Sequence, residues 1–106
     1  MPHPTVVEFI DAIRSRSSSV VLVGSGFVEF ADVVHESGSY VDVILADHLG
    51  RITYYQGGFA DYEIIDSDGE QLVWEHIERI DEIEQLVERF NKLCSAVNAY
   101  AQARPI

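Results

Sequence analysis

Four histidines, one cysteine and eighteen carboxylates are the side chains of this 106-residue sequence with chemistry to offer. His3, His35, His48 and His76 stand far apart, with no His-x-x-x-His pair and no thiolate at ligand spacing, so the pattern does not support a zinc site. Asp66 and Asp68 could share acid and base work or bind calcium, but the Asp-Ser-Asp-Gly run is first of all a turn, because Asp and Gly are what that backbone geometry requires. Gly24, Ser25 and Gly26 lack the lysine and the following helix of a phosphate-binding loop. Cys94 falls on the apolar stripe of a helix, where a free cysteine serves as a small core residue rather than a nucleophile. An enzyme would need a pocket that the sequence conceals, with Tyr55, His48 and Glu63 converging. The expectation is therefore no catalytic residue, no metal and no cofactor, and a protein that binds rather than reacts.

The acidic residues indicate what it would bind. Between Asp61 and Arg89 there are eleven of them against two basic residues, Arg79 and Arg89, so that stretch holds nine of the formal net −11. Its apolar periodicity persists throughout, which puts the charge on a folded surface and not on a disordered tail. A net charge of this sign repels phosphate backbones and anionic membranes, and seven scattered Lys and Arg residues form no basic patch, so neither nucleic acid nor membrane is expected as a partner. The partner predicted is a protein with a basic surface. One cysteine excludes an intramolecular disulfide framework, and no leader with a basic end and a long apolar run is read ahead of the first helix, so the cytoplasm is the expected location.

The elements that must position these residues follow from pattern. A length of 106 residues and a hydrophobic content of 47% suit a single globular domain with one core. Thr5 and Glu8 form a capping-box pair, and Val6, Phe9, Ile10 and Ile13 share one helical face, predicting a helix from Thr5 to Arg16. Short β-branched or alternating runs then predict strands at Val20 to Val23, Phe27 to Val34, Tyr40 to Ala46, Arg51 to Gln56, Phe59 to Asp66 and Glu70 to His76. Turns are expected at Gly24 to Gly26, at Asp47 to Gly50, at Gly57 and Gly58, and at Ser67 to Gly69. Asp81 with Glu84 repeats the capping pattern ahead of a long amphipathic helix that carries Ile83, Leu86, Val87, Phe90, Leu93, Cys94 and Val97 on one stripe. The fold class is α+β: an antiparallel meander of five to six strands, flanked by an N-terminal and a long C-terminal helix packed on one face.

Alternation along the strands sorts the residues into two faces. With Val41, Val43, Leu45, Ile52, Tyr54, Tyr62, Ile64, Leu72 and Trp74 turned inward, the outward set includes Tyr40, Asp42, Ile44, Thr53, Tyr55, Asp61, Glu63, Ile65, Val73 and Glu75. Tyrosines, aliphatics and carboxylates sharing a surface suit protein recognition, in which aromatic anchors supply affinity and rim charges supply steering. Tyr40, Asp42, Tyr55, Asp61, Glu63 and Glu75 are accordingly the candidate partner-binding residues. Carboxylates on such a face also keep a sheet from pairing with other chains, so the pattern alone admits a purely protective role.

From Gly50 onward the order of elements carries a resemblance. Gly-Arg-Ile-Thr-Tyr-Tyr, Gly-Gly-Phe-Ala-Asp-Tyr-Glu-Ile-Ile-Asp and Asp-Gly-Glu-Gln-Leu-Val-Trp-Glu-His, closing in an acidic amphipathic helix, resemble small bacterial immunity proteins of the TriTu type. The stretch at Trp74, Glu75 and His76 is its most distinctive piece. The resemblance implies neutralisation of an ADP-ribosyltransferase toxin that modifies elongation factor Tu, with the acidic surface docked on the toxin's catalytic domain. An acidic adaptor or chaperone-like module holding a basic client is the alternative that the residues leave open.

Overall fold

The computed structural model describes residues 3–16, 22, 26–32, 34–45 and 47–102. Helix α1 (Val6–Arg16) is followed by strands β1 (Phe27–Phe30), β2 (Gly38–Leu45), β3 (His48–Tyr55), β4 (Phe59–Asp66) and β5 (Gln71–Ile77), and by helix α2 (Ile83–Gln102). The five strands form one antiparallel sheet in sequence order, a meander. The α+β architecture read from the sequence is therefore the one observed. The expected Val20 to Val23 strand lies outside the described residues except for Leu22, as does the turn that follows it except for Gly26.

Local chemistry explains the ends of the elements. The α1 capping box is closed in both directions, with the Thr5 amide donating to Glu8 Oε1 at 2.9 Å and the Glu8 amide donating to Thr5 Oγ1 at 3.1 Å. At α2 the returning side chain is Gln85 rather than Glu84: its Oε1 accepts from the amides of Asp81 at 2.7 Å and Glu82 at 2.9 Å. The helix consequently starts at Ile83, one residue later than the Asp81–Glu84 pattern suggests. In the β4–β5 turn, Asp66 Oδ1 accepts from the amides of Asp68 and Glu70, both at 2.9 Å, and Gly69 takes a φ of +80°.

Both helices lie on the same face of the sheet. There Phe9, Ile13, Val41, Val43, Ile52, Tyr54, Ile64, Leu86, Phe90, Leu93 and Val97 are fully buried in one cluster. Each such side chain taken from water contributes about 1.5–3 kcal/mol, which holds the two layers together. Buried Tyr54 keeps its polar end satisfied by donating its hydroxyl to the Pro4 carbonyl at 2.6 Å, tying the N-terminal segment to the central strand.

Two expectations are corrected at this level. The Asp47 to Gly50 turn is shorter than predicted, because His48, Leu49 and Gly50 already pair with Leu45, Ile44 and Val43. Gly50 serves the packing rather than the turn: a Cβ there would sit 2.6 Å from Val97 Cγ2 and 2.9 Å from Leu93 Cδ1, so the missing side chain is what lets α2 approach β3. The parity of β5 is also reversed. Ile64 faces Val73 but Ile65 faces Gln71, so Leu72 is an extra residue in the ladder. Leu72 and Val73 both pack toward the core, and from there Trp74 points outward and Glu75 inward. Trp74, expected in the core, is 57% exposed.

Candidate functional site

The sheet face opposite the helices is built from every second residue of the strands, and strand register arranges it in rows. One row runs Glu29, Asp42, Arg51, Glu63, Trp74, and the next runs Tyr40, Thr53, Asp61, His76. Tyr55 and Phe59 face each other beyond them. Of the six candidate partner-binding residues, Tyr40, Asp42, Tyr55, Asp61 and Glu63 thus share this open face. Glu75 does not: it follows the reversed parity of β5, lies opposite Tyr62 and accepts from Arg89 Nη1 of α2 at 3.1 Å. Its placement with the others on the outer face is corrected by the bulge at Leu72.

The β2–β3 side of the face is internally satisfied. Arg51 forks onto Asp42, donating from Nε to Oδ1 at 2.6 Å and from Nη2 to Oδ2 at 2.9 Å. Its guanidinium carbon stands 3.8 Å from the centroid of the Tyr40 ring. The hydrogen bond to Asp42 raises the Arg51 pKa further above its already high ordinary value. Asp42 is only 6% exposed, so this carboxylate is structural before it is available to a partner.

The β4–β5 side is more open. Asp61 accepts from the Tyr55 hydroxyl at 3.0 Å and from His76 Nδ1 at 2.7 Å. The His76 ring lies within 15° of parallel to both Phe59 and Trp74, with centroids 6.1 and 6.4 Å away. Its bond to Asp61 favours the imidazolium and raises the His76 pKa above the ordinary histidine value. Burial, followed by the bond to Asp61, raises that of Tyr55. Glu63 receives the Gln71 side-chain amide at 3.2 Å. Phe59 and Tyr55, both more than a third exposed, and Trp74 complete an aromatic surface rimmed with carboxylates.

Sequence reasoning missed Trp74, His76, Phe59 and Arg51 as members of this face. Phe59 shares the parity of Asp61 and Glu63 and Arg51 that of Tyr55, so alternation alone could have found both. For Trp74 and His76 the signal is the bulge, which alternation cannot show.

Among the described residues, the groups that the sequence offered for chemistry do not converge. His48 is on the helix side of β3, stacked on Tyr100 at 6.1 Å, so it cannot converge with Tyr55 and Glu63 on the other side. Cys94 is 1% exposed and burial pushes its thiol up to about 11, consistent with a core role. Among the described residues no three His, Cys, Asp or Glu side chains are placed to hold a metal ion, and no helix is long and apolar enough to cross a membrane. A cleft of about 460 Å³ lies between the N-terminal segment and the β3–β4 turn, lined by His3, Pro4, Val7, Glu36, Gln56 and Gly57. His3 is already engaged there, donating from Nδ1 to the Ile80 carbonyl at 2.7 Å. A shallower groove of about 380 Å³ on the open face has Tyr40, Thr53 and Tyr55 among its walls.

What this arrangement can do is bind. Exposed rings with carboxylates between them give apolar area, cation-π contact and charge-assisted hydrogen bonding to one partner surface. No curated protein and no solved structure matches the chain significantly. Residues 9–96 match the family described as Immunity protein TriTu, which takes in most of α1, the whole sheet and most of α2, and the chain belongs to that family.

Proposed function

We propose that this protein neutralises a cognate toxin by one-to-one docking of its open sheet face on the toxin's catalytic domain, covering the cleft used for NAD or for the target protein. The observation that carries this reading is the face itself: both helices cover the other side of the sheet, while Tyr55, Phe59 and Trp74 stand exposed beside Asp61 and Glu63. Family membership supports an immunity role, and the resemblance to TriTu-type proteins supports an ADP-ribosyltransferase as the toxin. Occlusion needs no chemistry from the inhibitor, only affinity and speed. A transferase that binds a dinucleotide pyrophosphate presents positive charge, and a chain of net −11 is drawn toward it while like-charged proteins are rejected. Because the target of such a toxin is a translation factor, the inhibitor acts in the cytoplasm.

Co-expression with the toxin domain encoded beside it tests the reading. Survival of the bacteria, with a nanomolar one-to-one complex whose association slows as salt rises, is the expected result. Cell death despite soluble expression, with no complex, refutes it and favours capture of a different basic client.

A further inference from the structure

On the open face the protein contains a completed guanidinium site and, two strands away, an uncompleted one. In the completed site the Arg51 guanidinium is 3.8 Å from the centre of the Tyr40 ring and forks onto Asp42 at 2.6 and 2.9 Å. The parts are an aromatic ring and a carboxylate two residues apart on β2, with a planar cation reaching both from β3. A ring and a carboxylate also meet across β4 and β5, here one on each strand. Trp74 lies directly opposite Glu63, where side chains of paired strands stand about 5 Å apart, and Asp61 is the diagonal neighbour. No arginine of the chain supplies the cation among the described residues: Arg51, opposite Glu63 on the other side, is turned to Asp42. Glu63 holds the neutral amide of Gln71 there, at 3.2 Å.

We propose that the Trp74–Glu63 corner receives an arginine side chain of the toxin, its guanidinium stacked on the indole and paired with the Glu63 carboxylate. This rests on the docking role argued above and names the contact that anchors it. Three observations favour the occupant. Trp74 is 57% exposed at an edge strand, so its face is open to an incoming side chain. Asp61 and Glu78 lie at 2.7 and 3.7 Å from the His76 ring, which leaves Glu63 as the carboxylate of the corner open to an incoming cation. The stacked His76 and Phe59 fix the orientation of this aromatic strip, so little side-chain freedom is lost on docking. Arginine fits better than lysine because its flat, weakly hydrated fork can stack and bridge a carboxylate at once.

The test uses the full chain and the toxin domain encoded beside it. Trp74→Ala and Glu63→Gln are each expected to weaken the complex at least tenfold, with Trp74→Phe retaining most of the affinity and circular dichroism unchanged in all three. Trp74 is the sole tryptophan, so its emission should shift to the blue on binding. Arginine amide should compete with the complex more strongly than lysine amide at matched ionic strength, and Trp74→Ala should abolish the difference. A wild-type complex that tolerates Trp74→Ala and Glu63→Gln with unchanged affinity overturns the inference while leaving the immunity reading in place. Absence of any wild-type complex overturns both.

Discussion

Removing Arg51 should destabilise the protein more than removing the charge of its partner Asp42, and the asymmetry follows from exposure. The Asp42 side chain is 9% exposed and that of Arg51 34%, and the pair shares two hydrogen bonds at 2.6 and 2.9 Å. In Arg51→Ala the carboxylate remains near-buried without its fork, and Tyr40 loses the cation over its ring. A hydrogen bond to a charged group is worth about 1.5–3 kcal/mol, and because the arginine is a third exposed we take the lower half of that range, about 2 kcal/mol. For a domain of this size that lowers Tm by roughly 10 °C and shifts a urea midpoint by about 1 M. In Asp42→Asn the freed guanidinium can reach water or the facing Glu63, so a loss of about 1 kcal/mol is expected. Urea titrations of both single variants and the double variant complete a cycle, with an expected coupling energy of about 1–2 kcal/mol. Equal losses from the two single variants, or a coupling near zero, would refute the claim that Arg51 serves to keep Asp42 satisfied.

Three further outcomes are expected. Gly50→Ala places a methyl group 2.6 Å from Val97 Cγ2, against an ordinary contact of about 3.5–4.0 Å, and should cost about 1–3 kcal/mol; a urea midpoint equal to wild type would show that α2 yields freely. His76 should titrate, by NMR, above the ordinary value of about 6.5, and Asp61→Asn should bring it back. Because the folded-state value is the raised one, the His76 contribution to stability is complete below the unfolded value and is lost as pH climbs through the folded one; an unshifted midpoint would remove it. Cys94, with its thiol pushed up to about 11 by burial, should resist iodoacetamide at pH 8 in the native protein and react readily in urea; fast native labelling would contradict its place in the core.

Much of the fold was legible because its signals are local. The Thr5–Glu8 cap, the Asp66 turn and the stripe from Leu86 to Val97 each depend on neighbours a few residues away, and each has the structure its pattern implies. The inward registers of β2, β3 and β4 were equally plain, since Val41, Val43, Ile52, Tyr54, Tyr62 and Ile64 fall at every second position of their strands. What escaped depends on pairing between strands. The extra residue at Leu72 exists only relative to β4, yet it moves Trp74 to the surface and Glu75 to the helix side, changing the aromatic content of the candidate site. Gly50 was misread for a related reason, because its role is set by Val97 and Leu93 far along the chain. The fork of Arg51 on Asp42 likewise needed the β2–β3 register before a nominally exposed carboxylate could be recognised as a buried, paired one.

Docking by the open sheet face, rather than by the helix layer, can be measured directly. The direct measurement is the affinity of two charge-matched variants for a cognate toxin domain. One carries Asp61→Lys with Glu63→Lys on the open face; the other carries Asp11→Lys with Glu88→Lys on exposed sites of α1 and α2. Both change net charge equally, so steering by total charge affects them alike. A loss of at least a hundredfold for the open-face variant is expected, with the helix variant within a fewfold of wild type. The reverse order, or equal losses, would contradict it and move the interface to the helices.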